Sequence, residues 1–245
     1  MQQTTELNQK ETASNLAGNA RSSEGVFHFS VVYFLVAFVL MFLASPFILQ
    51  LHSGALIETV LITAVFISAV LATGGSSRSL ALAVVLVIPA LVGKWVNHLR
   101  PDLIPTEVFM GAGLVFFVFV TVHFLGFILR APRVNSEVLC AGVSTYLLLG
   151  WVWGFAYELV ARLVPDSFAF TVGPDSIRSM KGFTTLYFSY ATLTTVGYGG
   201  IVPLSGTARM LAMAEAMVGM FYVTLLIARL VALYYSKGSS DRGSG

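Results

Sequence analysis

Apolar residues in this chain come in long blocks, not at the spacing of a half-buried strand. Predominantly apolar runs occupy about residues 26–50, 55–72, 79–97, 104–129, 136–164 and 206–235. A helix needs ~20 mostly apolar residues to cross a hydrocarbon core of ~30 Å. The blocks predict six membrane-spanning helices. The second and third are short, but the breaks around them, Leu51-His52-Ser53-Gly54 and Thr73-Gly74-Gly75-Ser76, are good turn chemistry. A seventh apolar stretch, about 182–194 (GFTTLYFSYATLT), is different. At ~1.5 Å per residue it reaches only about 20 Å. A half-length helix ending at membrane depth must hide its backbone ends in protein or a wet cavity. It is expected to be re-entrant, dipping in and returning between the last two spans.

The pattern divides the chain into four parts. Residues 1–25 are polar, with neither an apolar block nor a small-residue cleavage site, and read as a disordered cytoplasmic tail rather than a secretory signal. Residues 26–130 hold four helices, and residues 136–235 hold two spans with the half-length helix between them. Residues 236–245 (SKGSSDRGSG) read as a flexible tail. The expected fold class is an all-α membrane protein.

Composition narrows the function. Hydrophobic residues make up 56% of the chain and charged residues 11%, against about 25% charged in a typical soluble domain. A soluble globule lacks the polar surface to cover so much apolar area. A soluble enzyme, a disordered protein and a nucleic-acid binder are excluded, and lipid is the expected surrounding. A net charge of +2 points to no polyanionic partner. Cys140 stands alone, so neither an intrachain disulfide nor a cysteine-rich metal site is possible. Six spans put both termini on one side. Placing them in the cytoplasm sets eight lysines and arginines inside against six outside, a small preference in the direction of the positive-inside rule.

The informative stretch is Thr194-Thr195-Val196-Gly197-Tyr198-Gly199-Gly200, after the half-length helix and before Pro203 and the last span. Dehydrating a small monovalent cation requires several oxygen ligands of modest field strength. Backbone carbonyls supply them if successive residues turn their C=O groups to one side. Glycine adopts the positive φ this demands without steric cost. Gly197 and Gly199 alternate with Val196 and Tyr198, whose side chains can point away and anchor the strand, and Thr195 adds a carbonyl and a hydroxyl at the inner end. The C-terminus of the half-helix carries partial negative charge and favours a cation below the loop.

This stretch resembles the selectivity filter of potassium channels, built from TVGYG loops. The resemblance covers about residues 136–235, as outer helix, outer loop, pore helix, filter and inner helix, in the manner of bacterial channels. It implies six transmembrane helices plus a re-entrant pore helix and filter loop, assembled as a homotetramer in the inner or plasma membrane and surrounded by membrane lipids. It further implies passive, selective conduction of K+, with K+ at Thr195, Val196, Gly197 and Tyr198, Gly199 completing the ion-binding run, and no organic cofactor or covalent reaction. Thr194, Ala191, Tyr187 and Gly200 are the expected supports of the filter. In many such channels the motif continues Gly-Tyr-Gly-Asp, and the simple bacterial channel sets a pore-helix Glu behind that Asp. Here the positions are Gly200 and Ala191, so both carboxyls are absent, and Tyr187 offers its hydroxyl as another anchor.

On the last span, Gly219 lies at the spacing of the hinge glycine in two-span potassium channels. Hinge bending and close helix packing both account for it. Glu215, four residues earlier, shares its face. An intramembrane carboxylate is a functional-site candidate by default. It either faces the cavity and attracts cations or gates, or sits behind the filter bonded to the pore helix. Arg229 is expected to snorkel toward lipid phosphate. The four leading spans are similar to a voltage-sensing domain, whose fourth helix requires arginines at three-residue spacing. Here the fourth span has no Lys or Arg and carries only Glu107 and His123, so little voltage dependence is expected. Glu58, Lys94 and His123 read as packed pairs or snorkels, not ligands.

Two other functions compete. A membrane enzyme or transporter needs charged groups converging at the midplane or paired broken helices, and only one broken element is present. A weakly selective monovalent cation channel is the alternative within channels, and the intact Val-Gly-Tyr-Gly argues against it.

Overall fold

The computed structural model describes residues 31–47, 54–74, 77–100, 103, 105–132, 135–171 and 178–242. The polar segment 1–25 lies outside these residues. The described chain runs α1 (Val31–Phe47), α2 (Gly54–Ala72), α3 (Ser77–Leu99), α4 (Thr106–Arg130), α5 (Ser136–Leu163), β1 (Phe168–Phe170), α6 (Phe183–Leu193), β2 (Ile201–Pro203) and α7 (Gly206–Arg242). Five of these helices, α2 to α5 and α7, are long and apolar enough to cross a membrane. The described part of α1 is apolar but shorter. The architecture is that of an all-α, multi-pass membrane protein.

Helix boundaries follow local chemistry. The Asn135 side chain accepts the Val138 N–H at 3.0 Å and caps α5, which satisfies one of the orphan donors of a helix N-terminus. Pro89 sits inside α3, a position tolerated in membrane helices because neighbours re-satisfy the freed backbone. The flexible tail expected from residue 236 needs correction, because α7 stays helical through Arg242. Each further residue adds one hydrogen bond to an existing helix, and no proline intervenes to stop propagation. The antiparallel pair β1–β2, with Phe168 opposite Pro203 and Phe170 opposite Ile201, was not expected. It ties the segment before α6 to the segment after the glycine-rich loop.

The four-helix part is held by aromatic packing. Phe116, Phe117, Val120 and Phe124 form the fully buried stripe of α4. Phe117 stacks on Phe66 of α2 and meets Trp151 of α5 edge-on, and Phe124 meets Phe34 of α1 edge-on. The buried face of α4 is thus mostly apolar and rich in aromatic rings, with no cation on it. Lys94 and Glu58 form an ion pair at 3.1 Å between α3 and α2, as expected for isolated charges in this part.

Glycines set the seat of α6. A Cβ on Gly150 would enter the Tyr190 ring, and one on Gly154 would lie 3.1 Å from Leu186 Cδ2. Gly150 and Gly154 are one turn apart on α5, as are Tyr190 and Leu186 on α6. The two helices therefore meet in antiparallel register through a small-residue groove. The Tyr190 hydroxyl donates to the Leu147 carbonyl at 2.6 Å, so the ring is fixed at both ends. Replacing Gly150 by Ala forces this interface apart. The expected loss is about 1–3 kcal/mol, the cost of overpacking a close-packed site, read as a lowered thermal unfolding midpoint of the purified protein in detergent. An unchanged midpoint would contradict the packing described.

Candidate ion-conduction site

Residue order alone puts the glycine-rich loop at the C-terminus of α6, and the structure shows what holds it there. α6 ends at Leu193. The Thr194 hydroxyl donates to the Tyr190 carbonyl at 2.6 Å and the Thr192 hydroxyl to the Phe188 carbonyl at 2.8 Å. These bonds occupy carbonyls near the end of the helix. The Thr195 N–H donates to Thr192 O at 2.9 Å, and the Gly197 N–H reaches back to Ala191 O at 3.0 Å. Thr194 and Ala191 therefore support the loop, Ala191 through its backbone.

The loop has alternating handedness. Thr195, Gly197 and Gly199 have φ of 61°, 57° and 80°, while Val196 and Tyr198 between them do not have positive φ. In an ordinary strand successive carbonyls point to opposite sides. Alternation between left- and right-handed values turns successive carbonyls to the same side instead, producing one row of oxygens. The two glycines adopt this backbone freely. Thr195 does not, because positive φ is an outlier for a β-branched residue. Such strain, of order 1–3 kcal/mol, persists only where the surroundings over-determine it, and the Thr194 and Thr195 bonds to α6 do so. Thr195, Val196, Gly197 and Tyr198 are all exposed on the single chain.

The outer end departs from expectation in two places. The Gly199 carbonyl accepts the Thr171 hydroxyl at 2.8 Å, and the Gly200 carbonyl accepts the Thr171 N–H at 3.0 Å. Gly199 thus contributes its positive φ, while its carbonyl is engaged by the outer loop. Thr171, just past β1, was not singled out in the sequence, since its role depends on the β1–β2 register. The second place is Tyr187. Within the single chain its ring lies 6.0 Å from the Tyr198 ring and nearly parallel to it, a contact not expected from the sequence. A Cβ at Gly200 would meet nothing within 4 Å, so this position is open.

Behind the loop lies a buried polar cluster. Glu215 of α7 is fully buried, and of its two expected placements the structure shows the one behind the filter. Its carboxyl Oε2 accepts the Tyr157 hydroxyl of α5 in a short hydrogen bond. Oε1 lies 2.5 Å from the Ser189 Oγ of α6, which in turn lies 2.7 Å from the Gly150 carbonyl of α5. One carboxyl therefore joins α5, α6 and α7. One turn further along both helices, Gly219 of α7 meets Leu193 of α6, and a Cβ on Gly219 would overlap the Leu193 carbonyl oxygen. Close packing thus accounts for Gly219, and α7 passes through it without a break. Tyr157 and Ser189 escaped notice in the sequence. The signal for Ser189 was its position one turn before Leu193 on the same face.

Arg229 also needs correction. It donates to the Leu129 and Ala131 carbonyls at 3.1 and 2.9 Å, capping the end of α4. Cations at a helix C-terminus stabilise its exposed carbonyls. Among the described residues no group of three His, Cys, Asp or Glu gathers to hold a metal ion. The oxygens available to a cation here are backbone carbonyls.

Residues 138–236, spanning α5 to α7, match the model of a family described as ion channel. Protein LctB of Bacillus caldotenax is 34% identical over 102 residues, covering 40% of this chain and 74% of that protein. This chain belongs to the ion channel family. Two plant relatives, two pore potassium channels a and b of Oryza sativa subsp. japonica, are 38% identical over 79 residues and 36% identical over 74 residues. These matches cover 31% and 29% of this chain but only 21% of each relative. No solved structure gives a significant match. The matched family conducts ions and is not a family of enzymes, and the match falls on the segment that carries the loop and its buried support.

Glu215→Leu in this channel leaves the Tyr157 hydroxyl without its buried acceptor, at about 1–3 kcal/mol, while Ser189 keeps the Gly150 carbonyl. Glu215→Gln keeps a carbonyl acceptor in place. The leucine variant should unfold at a clearly lower temperature than the glutamine variant, measured on both in the same detergent. Equal midpoints would mean that the cluster contributes no hydrogen-bonding stability.

Proposed function

We propose that this chain is a potassium-selective channel that works as a homotetramer in the cell membrane, with both termini in the cytoplasm. Four loops surround one axis, and the carbonyls of Thr195, Val196, Gly197 and Tyr198 replace the hydration shell of K+. The observation that carries this reading is the alternation of φ at Thr195, Gly197 and Gly199, which makes a single row of carbonyls directly above the C-terminus of α6. The names of the two plant relatives, both potassium channels, support the choice of ion. The exposure of one chain supports an assembly. Only 17% of the spanning window of α7 is buried, and Met213, Met217, Met220 and Phe221 lie open on it. Val196 and Tyr198 are likewise exposed on the single chain, and in a tetramer a neighbouring pore helix would cover them.

Conduction is passive in this reading. The negative end of α6 stabilises a cation in the cavity below the filter, and the carbonyl row accepts it as water leaves. Glu215, Ser189 and Tyr157 hold the pore helix and the inner helix in register. They support the conduction path without lining it.

Reconstituted into a bilayer under opposed potassium and sodium solutions, the channel should reverse current close to the potassium potential. Equal permeability to the two ions would sink the assignment in favour of a weakly selective cation channel. Gly197→Val places a β-branched residue at positive φ and should abolish conduction while leaving the oligomer intact by size-exclusion chromatography.

Voltage gives an independent check. One charge moved through the membrane field is worth about 2.3 kcal/mol per 100 mV, and α4 carries no Lys or Arg before Arg130 at its end. Open probability should therefore change only shallowly with voltage in the same bilayer recordings. A steep conductance–voltage curve with gating currents would show that charges elsewhere in the four-helix part move through the field.

A further inference from the structure

A second internal space lies away from the conduction path, between the four-helix part and the pore helix. Its volume is about 310 Å3, at the lower end of the ~300–1,000 Å3 of small-molecule sites. The walls come from α1 to α5, from Lys181 and Gly182, and from the first turn of α6. The floor is apolar and aromatic, with Phe66, Met110, Trp151, Phe155 and Leu186. Gly113 belongs to it as well, and a Cβ there would rest 3.7 Å from the Phe66 ring and 3.8 Å from the Phe155 ring.

The rim is charged. Lys94 pairs with Glu58 at 3.1 Å, and Arg162 pairs with Glu158 at 2.8 Å. Lys181 also lines the space and has no ion-pair partner among the described residues. The rim therefore carries a net positive charge. The walls include Trp151, a residue only 3% exposed, and the guanidinium of Arg162, which Glu158 holds through one of its nitrogens. The Lys181 ammonium and the Arg162 guanidinium donate and never accept, so the rim suits an acceptor.

These features discriminate among occupants. A cation meets a positive rim. A neutral hydrocarbon leaves the Lys181 ammonium without a counter-charge. Water alone suits the rim but not a floor of Phe, Met and Trp, since buried water needs several polar partners. We propose that this space is a binding site for an anionic amphiphile, with a carboxylate or phosphate head at Lys181 and Arg162 and a single apolar tail among Phe66, Met110, Trp151 and Phe155. Such a ligand arrives either as a free fatty acid or as an anionic membrane lipid. It touches α2, α4, α5 and the first turn of the pore helix at once, and so bridges the four-helix part to the element that carries the filter.

Trp151 is a built-in reporter. In the full-length protein with Trp95→Phe and Trp153→Phe, it is the remaining tryptophan. Titration with 12-bromododecanoate in detergent should quench its fluorescence saturably, and the neutral 12-bromododecanol should bind at least tenfold more weakly. Lys181→Gln, at an exposed position outside the filter, should weaken the carboxylate at least fivefold. Gly113→Leu, which fills the floor, should abolish saturable quenching. Vesicles of tail-brominated phosphatidylglycerol compared with tail-brominated phosphatidylcholine separate the two sources. Preferential quenching by the phosphatidylglycerol assigns the site to lipid, and quenching by dodecanoate alone assigns it to free fatty acid. Non-saturable quenching, equal quenching by the acid and the alcohol, or an unaltered Lys181→Gln variant would overturn the proposal. Absence of quenching in the intact oligomer would do the same, by showing that another surface closes the space. The assay reads binding and not ion flux, so it stands or fails separately from the potassium-channel reading.

Discussion

A helix of 11 residues is only about 16 Å long, so its ends lie at a depth where lipid offers no hydrogen bonds. Much of the structure around α6 meets that constraint. Gly150 on α5 and Gly219 on α7 sit where a Cβ would overlap α6, and Gly154 on α5 where one would press tightly on Leu186, and they let its neighbours close around it. Its hydroxyls turn back onto helical carbonyls, and Tyr190 and Ser189 reach across to the backbone of α5. Glu215 then joins the third helix to the same cluster. In hydrocarbon these polar contacts hold helices that hydrophobicity alone cannot hold, because lipid tails are as apolar as the residues they replace.

The same anchoring makes the strained loop possible. Thr195 keeps a left-handed backbone because the residues around it are bonded to the end of α6. At the outer end Thr171 holds Gly199 and Gly200 from the other strand. The loop is thus pinned at both ends and open along one side, where its carbonyls lie. A row of loop carbonyls with no protein donor makes physical sense where water or an ion takes that donor's place.

The four-helix part connects to this assembly at two levels. At the inner level Arg229 of α7 caps the end of α4, so the inner helix and the fourth span share hydrogen bonds as well as van der Waals contact. At the outer level the cavity beside Trp151 separates the two parts and is rimmed by charges from both. Between these levels the contact is aromatic, with Phe117 and Phe38 against Trp151. Aromatic rings at such contacts add specific edge and offset-stacked geometry to area burial. The contact between the four-helix part and α5 to α7 is therefore hydrogen-bonded at the C-terminus of α4, aromatic in the middle and open beside the first turn of α6.

Block length and motif were enough to read the helices, the half-length element and the loop. Crossing hydrocarbon demands a fixed minimum of apolar residues, and a glycine alternating with larger residues announces a special backbone; both are local requirements. The boundaries of α2 to α6 accordingly fall within a few residues of those expected. Tertiary structure alone decided the rest. Thr195 at positive φ depends on bonds to α6, and the placement of Glu215 depends on a serine and a tyrosine distant in the chain. Thr171 at the filter requires the β1–β2 register, and Arg229 at the end of α4 requires two helices to end at the same depth. Gly219 as a packing residue is legible only once Leu193 lies against it. In each of these cases the partner is supplied by another element, and periodicity within one segment carries no information about what will face it.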